Sequence, residues 1–351
     1  MSPAELAGRA AQPRGISARG VSPVLALLLG LAAIASLGIG RFDLSFLRVV
    51  EILASPWIAP SVPVSPAEWS VVVVVRLPRI VMAVLAGAGL AVAGAALQGV
   101  FRNPLVGPQV VGVTSGAAFG GTLAILFGWQ QAGLIGAAFA FGLLALVTVW
   151  LMSELVAKNN ILVLVLAGVI VSGFFGALVS LVQFLADSQD KLPVIVFWLL
   201  GSFATANGAK ALLLTGPVLV CGTLLMLLRW RINLLAMGDE DARALGVPVT
   251  ALRWFLLVLT ALLVSSQVAV SGMIGWVGLV VPHLARMLVG ADHRRLLPAS
   301  ALLGGLFLLM VDNLARSLSS SEIPLGILTA LIGTPVFALL LWRNRASRLV
   351  G

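Results

Sequence analysis

The sequence predicts an all-α polytopic membrane protein of about ten transmembrane helices. Three observations carry the prediction. Only 10% of the 351 residues are charged against 60% hydrophobic, whereas a soluble domain keeps about 25% charged residues to cover its surface. Mean hydropathy is +1.11. Apolar runs of roughly 20 residues, enough for one bilayer crossing each, recur along the chain with the charges at their flanks. In lipid the backbone must satisfy its own hydrogen bonds, so these runs read as helices.

Residues 1–20 are polar, carry Arg9, Arg14 and Arg19, and read as a cytoplasmic tail; residues 21–351 read as one transmembrane domain. The first span is expected at 23–40, ending in Gly38-Ile39-Gly40-Arg41. The second, 80–101, follows Arg76-Leu-Pro-Arg79 and carries Ala83, Gly87, Ala91, Ala95 and Gly99 at every fourth position. Such small-residue stripes let helices approach closely where lipid offers no hydrophobic drive. The third, 114–128, is short and repeats the stripe in Gly112, Gly116 and Gly120. The fourth and fifth, 132–152 and 161–186, are joined by the polar turn Lys158-Asn159-Asn160. The sixth, 208–228, is joined to the seventh, 255–271, by residues 229–254. The eighth, 275–290, begins irregularly among Gly272, Gly275 and Gly278 and contains Pro282, a kinking residue, and His283. The ninth, 298–317, places Asp312 and Arg316 at i, i+4, where they can pair. The tenth is expected at 324–342.

Ten spans put both termini on one side. With the termini in the cytoplasm, 15 of the 22 Lys and Arg fall inside and 7 outside, the direction of the positive-inside rule. Trp150, Trp230, Trp254 and Trp342 fall at the inner ends, and Trp57, Trp69, Trp129, Trp198 and Trp276 at the outer ends or loops, as interfacial anchors do.

Several function classes lack their residues. The three lysines, Lys158, Lys191 and Lys210, follow no glycine-rich phosphate loop, so the chain holds no nucleotide in that manner. No catalytic motif of the zinc-protease or nucleophile-elbow type occurs. The single Cys221 and two separated histidines offer no metal site. The net charge of +9 is spread over span ends and forms no nucleic-acid face. An ion-coupled carrier would need acids near the midplane, and Asp312 has a ready partner. An uncoupled channel or scaffold stays open on these grounds.

Four patterns narrow the reading: Arg76-Leu-Pro-Arg79; Leu97-Gln-Gly-Val-Phe-Arg-Asn-Pro-Leu-Val-Gly-Pro108; Gly272-Met-Ile-Gly-Trp-Val-Gly-Leu-Val-Val-Pro-His-Leu-Ala-Arg286; and Asp312-Asn-Leu-Ala-Arg316 with Glu322-Ile-Pro-Leu-Gly326 and Leu331-Ile-Gly-Thr-Pro-Val-Phe337. From about residue 70 onward the chain resembles the FecCD permeases, the membrane subunits of binding-protein-dependent ABC importers for iron–siderophore complexes, haem and cobalamin. The resemblance implies a type II ABC importer permease architecture in the inner membrane of a bacterium. Two ten-helix subunits, as a homodimer or alternatively a heterodimer, would form one pathway. Two separate ATPase subunits would carry the ATP and magnesium, and a periplasmic or lipid-anchored substrate-binding protein would dock outside. The chain itself would bind no cofactor and catalyse no reaction. The same scaffold could import an oxyanion such as molybdate.

The resemblance also implies roles. In the 229–254 loop, Gly238-Asp-Glu-Asp-Ala-Arg-Ala-Leu-Gly-Val-Pro248 reads as a short helix. Asp239 and Glu240 suit its positive end, and Gly246 and Pro248 stop it. As the family's coupling helix it would seat in the ATPase, with Leu235, Met237, Gly238, Ala242 and Leu245 as contacts. Arg76, Arg79 and Arg316, expected to face outward, would meet carboxylates of the binding protein. Gln98, Asn103, Pro104 and Leu105 after the second span, and Lys158, Asn159 and Asn160 after the fourth, would form a cytoplasmic gate or pathway.

Overall fold

A computed structural model describes residues 18–40, 42–158, 160–319 and 321–349. Most of the expected N-terminal tail and the gate residue Asn159 lie outside the described residues. Helices account for the regular structure, and no strand occurs among the described residues.

The chain opens with α1 (Ala18–Gly38), then the short α2 (Phe46–Ala54). A continuous stretch follows: α3 (Pro66–Trp69), a π-helical segment (Ser70–Arg76) and α4 (Leu77–Val100). Ser65 and Glu68 start it with a reciprocal capping box, Ser65 Oγ accepting from Glu68 N and Glu68 from Ser65 N. A turn and a 3-10 segment (Pro108–Val111) lead into α5 (Val113–Leu126), α6 (Gln131–Val156) and α7 (Ile161–Leu185). Next come α8 (Lys191–Leu199), α9 (Gly208–Leu227), α10 (Arg229–Met237) and α11 (Asp239–Ala244). The chain ends with α12 (Val249–Ser271), α13 (Val277–Val289), α14 (His293–Ser317) and α15 (Leu325–Leu349).

Among the described residues seven helices are long and apolar enough to cross a membrane, by length and composition, and there are three shorter apolar helices, α5, α13 and the 325–340 part of α15. Each coincides with one of the ten expected spans. The expectation left 187–207 as loop. Residues 191–199 instead form α8, too short at about 1.5 Å per residue to span. Its Trp198 ring lies against Gly121 of α5.

Helices α4 and α12 are the buried axis, and α14 packs along α4, whereas α1, α6, α7 and α9 lie mostly at the periphery. The small-residue stripe of α4 is buried as packing predicts. At the α4–α14 crossing, a Cβ on Gly87 would run into the carbonyl of Gly304, and one on Gly304 into that of Gly87. Only glycine permits that approach.

The irregular start of the eighth span is a break between α12 and α13, residues 272–276. Non-helical backbone at this depth must be satisfied by protein. Gln267 Nε2 donates to Gly272 O at 3.1 Å. The segment after α8 donates Ser202 N to Ser271 O, and α15 returns Leu325 N to Gly201 O, both at 2.8 Å.

Candidate functional site

The two ends of the bundle differ in chemistry. One end carries α10 and α11, reached by the C-terminus of α4 and the N-terminus of α12; the other carries the N-terminus of α4 and the C-terminus of α14.

At the first end, Gly238 at φ +139° separates α10 from α11, a backbone state that favours glycine. Asp239, Glu240 and Asp241 occupy the first turn of α11, where the helix dipole favours anions. Gly246, at φ +78°, follows its end, and Pro248 caps α12. The short helix is pinned. Arg253 of α12, itself buried, reaches both Asp239 oxygens at 2.7 and 2.8 Å, and Arg243 approaches Asp239 at 3.7 Å. Leu235 and Ala242 are buried in the subunit, which corrects the expectation that they face a partner; they are the anchors. Met237 and Leu245 are apolar yet 62% and 60% exposed.

A cleft of about 630 Å³ adjoins α11. Arg102, Lys158, Asn160, Met237, Asp239 and Glu240 are among its lining residues. The structure therefore brings the α6–α7 turn and the α10–α11 loop into one cleft, a neighbourhood the sequence did not reveal. Lys158 also approaches Glu154 at 3.8 Å. Asn160 caps α7 by accepting from Leu162 N at 2.9 Å and Val163 N at 3.4 Å.

The other gate residues lie apart from that cleft. Asn103, Pro104 and Leu105 form an exposed turn after α4, held by Asn103 Oδ1 accepting from Leu105 N at 2.9 Å and preceded by Arg102 at φ +51°. Gln98 is buried between helices, accepting from Arg286 Nη2 at 3.0 Å and donating to Leu279 O at 3.4 Å.

At the opposite end the expectation of outward-facing arginines is corrected. Arg76, Arg79 and Arg316 are 4, 5 and 6% exposed. Arg79 pairs with Asp312 at 2.9 Å and Glu322 at 2.7 Å. Arg76 donates to the carbonyls of Leu37 and Phe42, each at 2.6 Å. Arg316 donates to Ile39 O, Ser36 O and Asn313 Oδ1. The long side chains of Arg76 and Arg316 reach back over the end of α1 and satisfy its last carbonyls, while Arg79 turns to the two carboxylates, so the charge points inward. The expected Asp312–Arg316 pair forms only loosely, at 3.8 Å. A cavity of about 180 Å³ borders the three arginines and Glu322. Reasoning from sequence missed Arg253 and Glu322 as partners, because each acts across a distance that no local pattern encodes. His283 lies edge-on to Phe337, and no group of three or more potential metal ligands occurs among the described residues.

The model of the FecCD transport family matches residues 27–343. The molybdate import system permease protein of Haemophilus influenzae is 51% identical over 319 residues, covering 91% of this chain and 94% of that protein. The hemin transport system permease protein of Yersinia pestis is 38% identical over 331 residues, covering 92% and 96%. A solved ABC transporter, assigned to the metal-chelate type and inward-facing, is 50% identical with a TM-score of 0.84, over 93% of this chain and 99% of that one. The chain belongs to the FecCD transport family and is a multi-pass membrane permease subunit of an ABC importer.

Proposed function

We infer that two copies of this chain form the translocation pathway of an importer for a molybdate-class oxyanion. Partner ATPases sit at the α11 end, which faces the cytoplasm, and a substrate-binding protein sits at the opposite end. The observation that carries the substrate class is the 51% identity to a molybdate permease across nearly the whole of both chains, against 38% for a hemin permease of similar coverage. The coupling role rests on the pinned α11 and the two exposed apolar side chains that flank it, Met237 and Leu245. A helix fixed to α12 through Arg253–Asp239 transmits displacement, and Met237 and Leu245 offer what an ATPase groove would bury. ATP binding on the partners biases a two-state equilibrium, and the α11 cleft beside Lys158 and Asn160 is where that motion meets the gate.

The metal-chelate assignment of the 50%-identical solved structure favours a second reading, import of a chelate. One experiment separates them. The chain is reconstituted in liposomes with its ATPase and binding protein and supplied with radiolabelled molybdate, hemin or a ferric siderophore. ATP-dependent accumulation of molybdate alone supports the oxyanion reading. Accumulation of a chelate without molybdate replaces it. Accumulation with neither ATPase nor binding protein present overturns the importer reading.

A further inference from the structure

Lys210 is a buried cation with no carboxylate beside it among the described residues. It sits in the first turn of α9, at the end of the bundle away from α11, and is 8% exposed. Among the described residues its ammonium has one partner, Thr205 Oγ1 at 2.6 Å. Among the described residues no carboxylate lies within ion-pairing distance of it, unlike Arg48, Arg79 and Arg253. An ammonium has three donors, so two are left without a protein acceptor. Burying a charge without a counter-charge is costly, and buried charges in proteins are paired.

The unpaired group faces a space. A cavity of about 220 Å³ is bounded by the start of α6, the end of α8, the loop after it and the end of α12; Lys210, Thr205, Ser202, Gln131, Phe197 and Trp198 are among its lining residues. The walls are mainly apolar, which strengthens any electrostatic interaction inside. The size selects among ligands. Pockets for drug-sized molecules run to about 300–1,000 Å³, so a haem- or cobalamin-sized chelate does not fit. A tetrahedral oxyanion, which occupies the space of a few waters at about 30 Å³ each, does.

We propose that this cavity is a binding site for one small tetrahedral oxyanion, held by the Lys210 ammonium and the Thr205 hydroxyl beneath Trp198. The bound oxyanion supplies the counter-charge that the described residues do not. A free inorganic oxyanion and the phosphate of a lipid headgroup share this chemistry. The choice of molybdate as probe rests on the oxyanion reading above; the site itself rests on the unpaired ammonium.

The test is equilibrium dialysis of radiolabelled molybdate against the full-length chain, purified and delipidated in detergent. The wild type is expected to bind one ion per chain. Lys210→Met should weaken binding by about tenfold or more, the scale of one lost charge-assisted hydrogen bond. Lys210→Arg should retain most of it, and Thr205→Val should weaken it several-fold. The last two keep the charge, so they decide the matter even where K210M does not fold. Added phosphatidylglycerol that competes molybdate away, with lipid retention lost in K210M, identifies a headgroup phosphate as occupant. No competition identifies a free ion. Absence of binding in the wild type, or equal binding in K210M and T205V, overturns the site and leaves a merely hydrated lysine. Chelate uptake by the assembled importer alongside K210-dependent molybdate binding would remove the substrate reading and keep the site.

Discussion

The guanidinium of Arg79 straddles the carboxylate of Asp312, with Nε 3.0 Å from both oxygens and Nη2 2.9 Å from Oδ1, across 233 positions of sequence. The pair ties the start of α4 to the end of α14. Asp312 is fully buried, and Glu322 takes the remaining face of the fork. Removing one partner of a buried pair costs about 3–5 kcal/mol when the other is left with no counter-charge; here Arg79 keeps Glu322, so the loss falls toward the low end of that range. Asp312→Asn is therefore expected to lower the thermal unfolding midpoint of the detergent-solubilised chain sharply. The double variant R79M/D312N should recover much of the loss. A single D312N variant as stable as the wild type would mean that the pair is not formed in the membrane.

Met237 and Leu245 should separate coupling from folding. Both are exposed, and surface substitutions away from special features change stability by about 0.5 kcal/mol or less. Met237→Asp and Leu245→Asp are expected to leave the subunit folded while abolishing ATP-driven uptake in the reconstituted complex. Ala242→Asp, at a fully buried position of the same short helix, should destabilise the subunit itself. Normal uptake by both surface variants would disprove the coupling role of α11.

The seven long apolar helices, and the places of the three shorter ones, were legible because lipid imposes a simple rule: a run of apolar residues must be a helix. The short α8 was not, since eight apolar residues after Asp190 and Lys191 suit a loop, a buried helix or a partial span equally. Packing was legible in the α4 glycines, whose only sensible use is close approach. The arginines were misplaced for a physical reason. Sequence shows that Arg76, Arg79 and Arg316 lie at span ends, where exposure is the default. Whether a fork meets water or the carbonyls that end α1 depends on which helix is adjacent. The α11 helix was legible from Gly238, three acids and Pro248. Its anchoring was not, because Arg253 lies beyond the helix stop and shares no periodicity with Asp239.

Asp292 gives the fold an acid-sensitive joint. It caps α14 by accepting from Arg294 N at 2.9 Å and binds Asn233 of α10 at 2.6 Å. Hydrogen bonds from the Arg294 side chain first, and then from the Arg294 backbone and Asn233, hold its carboxyl well below the usual range. A carboxyl depressed in the folded state adds stability above its unfolded value, about 3.9, and loses it as pH falls through the folded one. Thermal midpoints measured from pH 6 down to pH 3 should therefore fall more steeply in the wild type than in Asp292→Asn. Parallel profiles would show that the cap carries no share of the acid response.

The crossing of α4 and α14 offers a test that depends on backbone geometry alone. Glycine inside a helix normally costs about 0.5–1 kcal/mol relative to alanine. At Gly176 of α7 an added Cβ meets nothing within 4 Å. Gly176→Ala should therefore stabilise the isolated subunit by about that amount. At Gly87 the added methyl would meet the carbonyl of Gly304, a backbone atom that no rotamer change can withdraw. The helices must then separate along their whole contact, loosening the layer of leucines and alanines beside it. Overpacking of this kind costs about 1–3 kcal/mol. Gly87→Ala should thus lower the unfolding midpoint although it raises intrinsic helix propensity. Adding Gly304→Ala should deepen the loss, because the second methyl faces the carbonyl of Gly87 in turn. Equal stabilisation by G176A and G87A would mean that α4 and α14 stand further apart than described, and the Arg79–Asp312 pair at the end of the same crossing would have to be redrawn with them.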